Sequence, residues 1–445
     1  MPPIRDENPL EEDKTISFIL EHAEEESAQL LLSASRYPGV DMNRAASAIE
    51  ARKKIVYKVP LWHTYPELIY PTSLSVEQCS SQTTAECKMR FVPEGGTIAD
   101  LTGGLGVDCS FMALRAEKCF YMERDPRLYE AAQHNFKVLG LENITVINGD
   151  CKEYLKRFTE PNEELTTINK ELEGANEELP ETKESEKREF DLIYLDPARR
   201  SKTSRRVFSI KEYEPDLTEL SDALLRAAKQ VLVKLSPMAD ISATLGEVPC
   251  VKEVHVLSID NECKELLLLM SGSEELLPSE DVPIHAVELS RVGKLHPTHG
   301  KESRFTFTIK EEKIAQCPIA TPGRYLHQPG RAILKAGAFK LPCIRFGISK
   351  IATSTHLYTS DTIIEGFPGK SFSIERIIPF NKEGIRTISH EYPFINCVAL
   401  NFPIDTNALK QRLKIRDGGN LHLFATTLAS GEKVMIISDP LPVTS

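Results

Sequence analysis

The chain has 445 residues, 41% of them hydrophobic and 27% charged, with a formal net charge of −11. That length allows about three domains, each able to bury its own core, which excludes a lone small binding module. The longest apolar run, Leu266 to Met270, is far short of the ~18 residues a spanning helix needs, and the first residues are acidic where a signal peptide is basic, so a cytoplasmic protein with no membrane partner is expected.

Charge is uneven along the chain. Residues 1–287 carry 33 basic and 52 acidic side chains, and residues 288–445 carry 21 and 13. A basic last third suits a polyanion such as RNA, because long-range attraction raises encounter rates and phosphate contacts add affinity. The ten cysteines form no Cys-x-x-Cys pair and no Cys/His block at zinc-ligand spacing, so they read as reduced core residues. His296-x-x-His299 and Trp62-His63 read as structural, and no metal is expected.

In chain order, Ile16, Ile19, Leu20, Ala23, Leu30 and Leu31 form an apolar helical stripe over residues 15–36 that stops at Tyr37-Pro38-Gly39. A second helix runs from Asp41, an N-cap candidate, through Lys54, with Arg52, Lys53, Lys54 and Lys58 as a solvated face. From about residue 97, short apolar runs alternate with amphipathic stretches. Thr97–Leu101, Lys118–Met122, Ile144–Ile147, Asp191–Leu195 and Gln230–Leu235 read as parallel strands. Glu253–Ile259 and Glu265–Met270 are too close together for a crossover helix, so they form an antiparallel hairpin. Five parallel strands followed by a reversed hairpin is the Rossmann-like α/β arrangement of class I methyltransferases. The Glu-rich stretch 159–189, with 11 acidic and 4 basic side chains, reads as a mobile insertion before the fourth strand.

The strongest motif is Ile98-Ala-Asp-Leu-Thr-Gly-Gly-Leu-Gly-Val-Asp108, at the turn from the first strand into the first helix. Glycines there let the backbone bend and approach a ligand, and the helix start offers free N–H groups. With Asp100 four residues before Gly104 and six before Gly106, the spacing fits an S-adenosylmethionine loop rather than the Gly-x-Gly-x-x-Gly of nicotinamide sites. Glu123 ends the second strand, where it can accept from ribose hydroxyls, and Asp150 ends the third, where it can accept from an adenine amine. The fourth strand ends in Tyr194-Leu-Asp-Pro-Ala-Arg-Arg200. Asp196 and the Pro197–Arg199 backbone suit an enzyme that holds an exocyclic amine and aims its lone pair at a methyl donor, where catalysis is largely positioning. Arg199, Arg200, Lys202, Arg205 and Arg206 are either phosphate clamps or a solvated loop. The fourth and fifth strands end without a cysteine, which argues against carbon methylation of pyrimidines. Near the C-terminus, Lys410, Arg412, Lys414 and Arg416 share one face if the stretch is extended and spread around the axis if it is helical.

Together these residues resemble the bacterial THUMP-like-domain-containing class I S-adenosylmethionine-dependent methyltransferases. The resemblance rests on Leu74-Ser-Val-Glu-Gln-Cys-Ser-Ser-Gln-Thr-Thr-Ala85, the glycine loop, Asp196-Pro-Ala-Arg199, Ile333-Leu-Lys-Ala-Gly-Ala-Phe339, Thr355-His-Leu-Tyr-Thr-Ser-Asp361 and Leu413-Lys-Ile-Arg-Asp-Gly-Gly-Asn-Leu421. It implies a helical domain over 1–72, a methyltransferase domain over 73–275, a ferredoxin-like domain over 280–362 and a THUMP-like domain over 363–445. It also implies cofactor contact by Asp100, Thr102, Gly103, Gly104, Gly106, Asp108, Glu123, Asp150 and Asp196, with Ser81, Gln82 and Thr84 from the preceding segment, and Asp196, Pro197 and Arg199 as the catalytic turn. The expected activity is methylation of a base amine in rRNA or tRNA. The other readings are a protein or small-molecule methyltransferase and a non-catalytic cofactor- and RNA-binding adaptor.

Overall fold

In the computed structural model the described residues are 14–65, 67–159, 188–199, 210–272, 276–292 and 298–442. Residues 160–187, nearly all of the acidic stretch, lie outside them, as do Arg200, Lys202, Arg205, Arg206 and His296, and the side chain of His299. The chain divides into two compact units, residues 1–252 with 267–276 and 291–300, and residues 253–266 with 277–290 and 301–445.

The expected single stripe over 15–36 is two helices, Lys14–Glu21 and Ser27–Leu32, followed by a short turn of helix at Ala34–Arg36. Glu24, Glu25 and Glu26 lie just beyond the first helix, where its negative end opposes further acidic residues. Asp41 caps the next helix, Met42–Lys58, by accepting from the Arg44 N–H. Within the supposed solvated face, Arg52 is buried, and Lys54 pairs with Glu77. Phe18, Ile19, Leu30, Met42, Ala45 and Ile49 form one small core. A second core, with Ile55, Trp62, Tyr70, Leu105, Val107 and Phe111, packs the helical segment against the helix that follows the glycine loop.

The larger sheet contains β1 (Thr97–Asp100), β2 (Lys118–Glu123), β3 (Ile144–Asn148) and β4 (Phe190–Leu195). After a two-residue ribbon, β5 (Ala198–Arg199) with β6 (Tyr213–Glu214), it continues with β7 (Ala228–Leu235), β8 (Val251–Ile259), β9 (Glu262–Ser271), β10 (Ile284–Val292) and β11 (Thr298–Phe307). The strand order is β11-β10-β8-β9-β7-β4-β1-β2-β3. β1 pairs in parallel with β2 and β4, β2 with β3, and β4 with β7. β8 and β9 are joined by the two-residue turn Asp260–Asn261, whose φ values of 51° and 62° are those of a tight hairpin turn. β9 therefore returns between β7 and β8 as the reversed strand, the class I methyltransferase arrangement. β10 and β11, which the apolar pattern does not reveal, extend the sheet beyond β8, with β10 parallel to it.

The second sheet holds β12 (Tyr325–Pro329), β13 (Ser349–Lys350), β14 (Tyr358–Ser360), β15 (Gly369–Pro379), β16 (Asn396–Ala399), β17 (His422–Thr427) and β18 (Lys433–Pro440) in the order β13-β14-β12-β15-β18-β17-β16. The long β15 pairs with β12 on one side and β18 on the other, joining both halves of this region. Cys317 and Cys343 form a disulfide, with Cα atoms 5.6 Å apart. These two correct the reading of ten reduced cysteines, because residues 26 apart in sequence meet only through tertiary packing. The Lys410–Arg416 stretch is mostly helical: Thr406–Leu413 is a helix, and Lys414 ends it at φ 54°. Among the described residues, no helix is long and apolar enough to cross a membrane.

Candidate functional site

Parallel strands bring their C-terminal ends to one edge, so β1, β2, β3 and β4 deliver Asp100, Glu123, Asp150 and Asp196 to the same border of the sheet. The loop between β1 and the helix Val107–Met112 is tightly folded. Gly103 donates its N–H to the Met122 carbonyl at 2.9 Å, and a Cβ there would overlap the Tyr121 ring. Gly106 has φ +83°, and its Cβ would come within 2.7 Å of Phe136. Gly104 has φ +57° and would place a Cβ 3.8 Å from the Thr102 carbonyl oxygen without a clash, and its N–H donates to Glu123 Oε2 at 2.8 Å. Tyr121 Oη donates to the Gly104 carbonyl at 2.5 Å.

Glu123 also accepts from the Asp125 N–H through Oε1 at 2.8 Å, so both its oxygens are oriented by backbone donors. Asp150 caps the helix Cys151–Lys156 by accepting from the Lys152 N–H, and it lies 3.8 Å from Arg124. Asp100 is fully buried and accepts from the Thr102 N–H at 3.1 Å. Burial holds its pKa well above the usual carboxylate range, and the charges of Asp108, Asp196 and Glu123 push the same way.

The Asp-Pro turn is tied to the glycine loop, because the Asp196 N–H donates to Thr102 Oγ1 at 2.6 Å. The Asp196 carboxylate accepts from Lys234 Nζ at 2.6 Å, and the same Nζ reaches Ser80 Oγ at 3.1 Å. Behind them, Asp108 accepts from Ser80 Oγ at 2.6 Å, Tyr194 Oη at 2.7 Å and Lys88 Nζ at 3.1 Å. Burial alone would raise the Asp108 pKa, but Lys88 and Lys234, with the two hydroxyl donors, outweigh it and hold the carboxyl below its ordinary range.

The remaining sequence-derived candidates are engaged locally. Ser81 caps the helix Gln82–Lys88 by accepting from the Thr84 N–H, Gln82 accepts from the Leu61 N–H at 2.9 Å, and Thr84 donates to the Ser81 carbonyl at 3.0 Å. Pro197 leads from Asp196 into the β5–β6 ribbon, where Arg199 lies 3.5 Å from Glu212. Cys79 is within electrostatic reach of Asp108 and Asp196, but burial pushes its thiol up to about 11, so it is a poor nucleophile at neutral pH.

Sequence reasoning missed Ser80, Lys88, Tyr194 and Lys234. Lys234 left a signal, as the one charge in the apolar run Val231-Leu-Val-Lys-Leu235 of a central strand. Lys88 left none, since a lysine ending a short helix reads as solvated, yet it is fully buried.

Family models match two C-terminal stretches, a ferredoxin-like domain over residues 325–368 and a THUMP domain-like region over residues 369–440. The crystal structure of a candidate methyltransferase from Porphyromonas gingivalis W83 is similar over nearly the whole chain. It shares 34% identity, covers 97% of this chain and 99% of its own, and superposes with a TM-score of 0.82. The chain belongs to the THUMP-like-domain-containing class I methyltransferase family. Two curated relatives match over shorter stretches. An uncharacterised protein of Methanocaldococcus jannaschii is 34% identical over 101 residues, 23% of this chain and 36% of that protein. A protein-L-isoaspartate O-methyltransferase of Fervidobacterium nodosum is 31% identical over 75 residues, 16% of this chain and 38% of that protein. The chain thus spans little more than a third of the length of either curated relative. As a member of this methyltransferase family, it carries its glycine loop and Asp-Pro turn on the strand ends described above.

Proposed function

We propose that this methyltransferase uses S-adenosylmethionine to methylate a base amine of structured RNA, rRNA or tRNA. The observation that carries the reading is the 2.6 Å hydrogen bond from the Asp196 N–H to Thr102 Oγ1, which fixes the acceptor-side turn to the cofactor-side loop. The side chains suit that cofactor. Asp100 is a buried carboxyl, and Asp196, Glu123 and Asp108 add negative potential around it, which fits a ligand carrying a sulfonium and an ammonium. Glu123 keeps acceptor capacity for two ribose hydroxyls, and its oxygens are already oriented.

In this reading Asp100, Thr102, Gly103, Gly104, Gly106, Glu123 and Asp150 hold the cofactor. Ser81, Gln82 and Thr84 flank it, and Asp108 stands behind the loop. S-adenosylmethionine, when bound, supplies an electrophilic methyl group. The chain then has to bind and aim the acceptor. Asp196 accepts a hydrogen bond from the substrate amine, the Pro197–Arg199 backbone limits where that amine sits, and Lys234 fixes the carboxylate that orients it. Support for RNA comes from the THUMP domain-like match over 369–440 and from the 21 basic and 13 acidic side chains of residues 288–445. Such a reaction belongs in the cytoplasm.

The test is incubation of the full chain with tritiated S-adenosylmethionine and total RNA from a strain lacking its gene, beside Asp196→Ala. Label entering RNA with the wild type alone supports the reading, and nucleoside analysis then names the base. Cofactor binding by calorimetry without label in RNA overturns the RNA reading and points to a protein acceptor. Absence of cofactor binding overturns the cofactor assignment.

A further inference from the structure

We infer that Glu253, His255 and His285 form a binding site for one divalent transition-metal ion of the zinc class. The site is built by strand geometry. Alternation along β8 puts Glu253 and His255 on one face, and the parallel register pairs His285 of β10 directly with His255. The two imidazoles stack with centroids 4.5 Å apart and planes 28° from parallel. Both Nε2 atoms face Glu253 Oε2, His255 at 3.0 Å and His285 at 3.5 Å. One ligand atom from each of the three residues lies within 4.8 Å of the others. A tetrahedral zinc ion with ligand bonds of ~2.0–2.1 Å has ligand-to-ligand edges of about 3.3 Å, so the two nitrogen-to-oxygen separations bracket the required spacing.

Two further observations favour a metal over an ordinary histidine–carboxylate contact. His285 Nδ1 is 2.8 Å from Thr306 Oγ1 on β11, the outer partner that fixes ring orientation in metal-bound histidines and leaves Nε2 to coordinate. That Nε2 is buried, and among the described residues its 3.5 Å approach to Glu253 Oε2 does not reach good hydrogen-bond geometry, an arrangement that native proteins rarely leave unexplained. The carboxylate supplies the negative charge and the histidines supply borderline-soft nitrogens, a set suited to zinc rather than to magnesium or calcium. Arg304, whose charge reaches His255, is paired with Glu302 at 3.3 Å. Glu253 is the exposed member of the trio, with 41% of its side chain accessible, so a fourth ligand of the ion would come from solvent on that side. The ion would clip β8 to β10, two strands 30 residues apart at their paired histidines.

The test is equilibrium dialysis of the full chain against zinc(II) alone, with cobalt(II) as a spectroscopic probe. Wild type is expected to bind one equivalent more than His285→Ala, and Thr306→Val to bind about tenfold more weakly than wild type. Cobalt-loaded protein is expected to show visible d–d bands without the near-ultraviolet band of a thiolate ligand, which separates this site from the free cysteines. Glu253→Gln, on the exposed side, repeats the loss without removing a buried ring, so that misfolding of the histidine variant does not decide the result. Equal zinc uptake by wild type and both ligand variants, or a thiolate-dominated cobalt spectrum, overturns the assignment.

Discussion

Lys234 and Asp196 form a 2.6 Å ion pair between β7 and the end of β4. The same carboxylate belongs to a residue whose N–H is held by Thr102, so Asp196 is constrained at both its backbone and its side chain. A group that acts by positioning gains from such double restraint, since small misplacement of reacting atoms has a large effect on rate.

Replacing Lys234 with Met is therefore expected to lower kcat roughly 10- to 100-fold. The dissociation constant for the cofactor is expected to change less than about threefold, because the glycine loop and Glu123 keep their mutual hydrogen bonds. Single-turnover kinetics with calorimetry separates the two. A parallel loss of affinity and rate would show that Lys234 supports the whole pocket rather than the Asp196 turn.

Asp100→Asn is expected to stabilise the protein at pH 8. Because burial raises the folded-state pKa of Asp100, the folded chain holds a proton that the unfolded chain releases above ~3.9, and wild-type stability falls as pH rises through the window up to the raised value. The Asn side chain keeps an acceptor for the Thr102 N–H but never ionises. Denaturant melts should show the variant gaining on the wild type by on the order of 1 kcal/mol from pH 4 to pH 8, while its cofactor affinity drops.

Lys88→Met should do the reverse. Removing a fully buried cation 3.1 Å from Asp108 leaves a buried carboxylate undercompensated, for a loss of about 3 kcal/mol at pH 7. Asp108 has a lowered pKa, so its contribution is present above the unfolded value near ~3.9 and is lost as pH falls through its depressed folded value. The gap between wild type and variant should accordingly narrow in acid.

Two glycines separate steric from backbone effects. Gly103→Ala places a Cβ in the Tyr121 ring and is expected to destabilise by ~1–3 kcal/mol while abolishing measurable cofactor binding. Gly140→Ala, at φ +72° with open space around it, should lose only about 1 kcal/mol and leave binding intact. Thermal melts and calorimetry on both variants check the contrast.

If the last domain holds RNA, its cations should not be equivalent. Lys410 is ion-paired with Asp417 at 2.5 Å, whereas Lys414 and Arg416 are exposed. Lys414→Gln and Arg416→Gln are each expected to reduce the slope of log affinity against log salt by about one. Lys410→Gln should change it less.

The glycine loop, Glu123, Asp150 and Asp196 were legible in the sequence because each is tied to a local event, a strand ending or a turn, and parallel topology brings those events to one edge. The reversed hairpin was legible for the same reason, since a five-residue gap leaves no room for a crossover helix. The partners of these residues were not. Ser80 and Lys88 reach Asp108 from a segment that precedes the sheet, and Lys234 reaches Asp196 from a strand 38 residues later. The Cys317–Cys343 bond, the register that pairs His285 with His255, and the helical course of Thr406–Leu413 were equally hidden. Backbone propensity and hydrophobic period act over a few residues, so the sequence by itself determined β1–β4 and β7–β9, the loop and the strand-end acids. Which charges are buried together depends on packing between distant segments, and that only the tertiary structure decided.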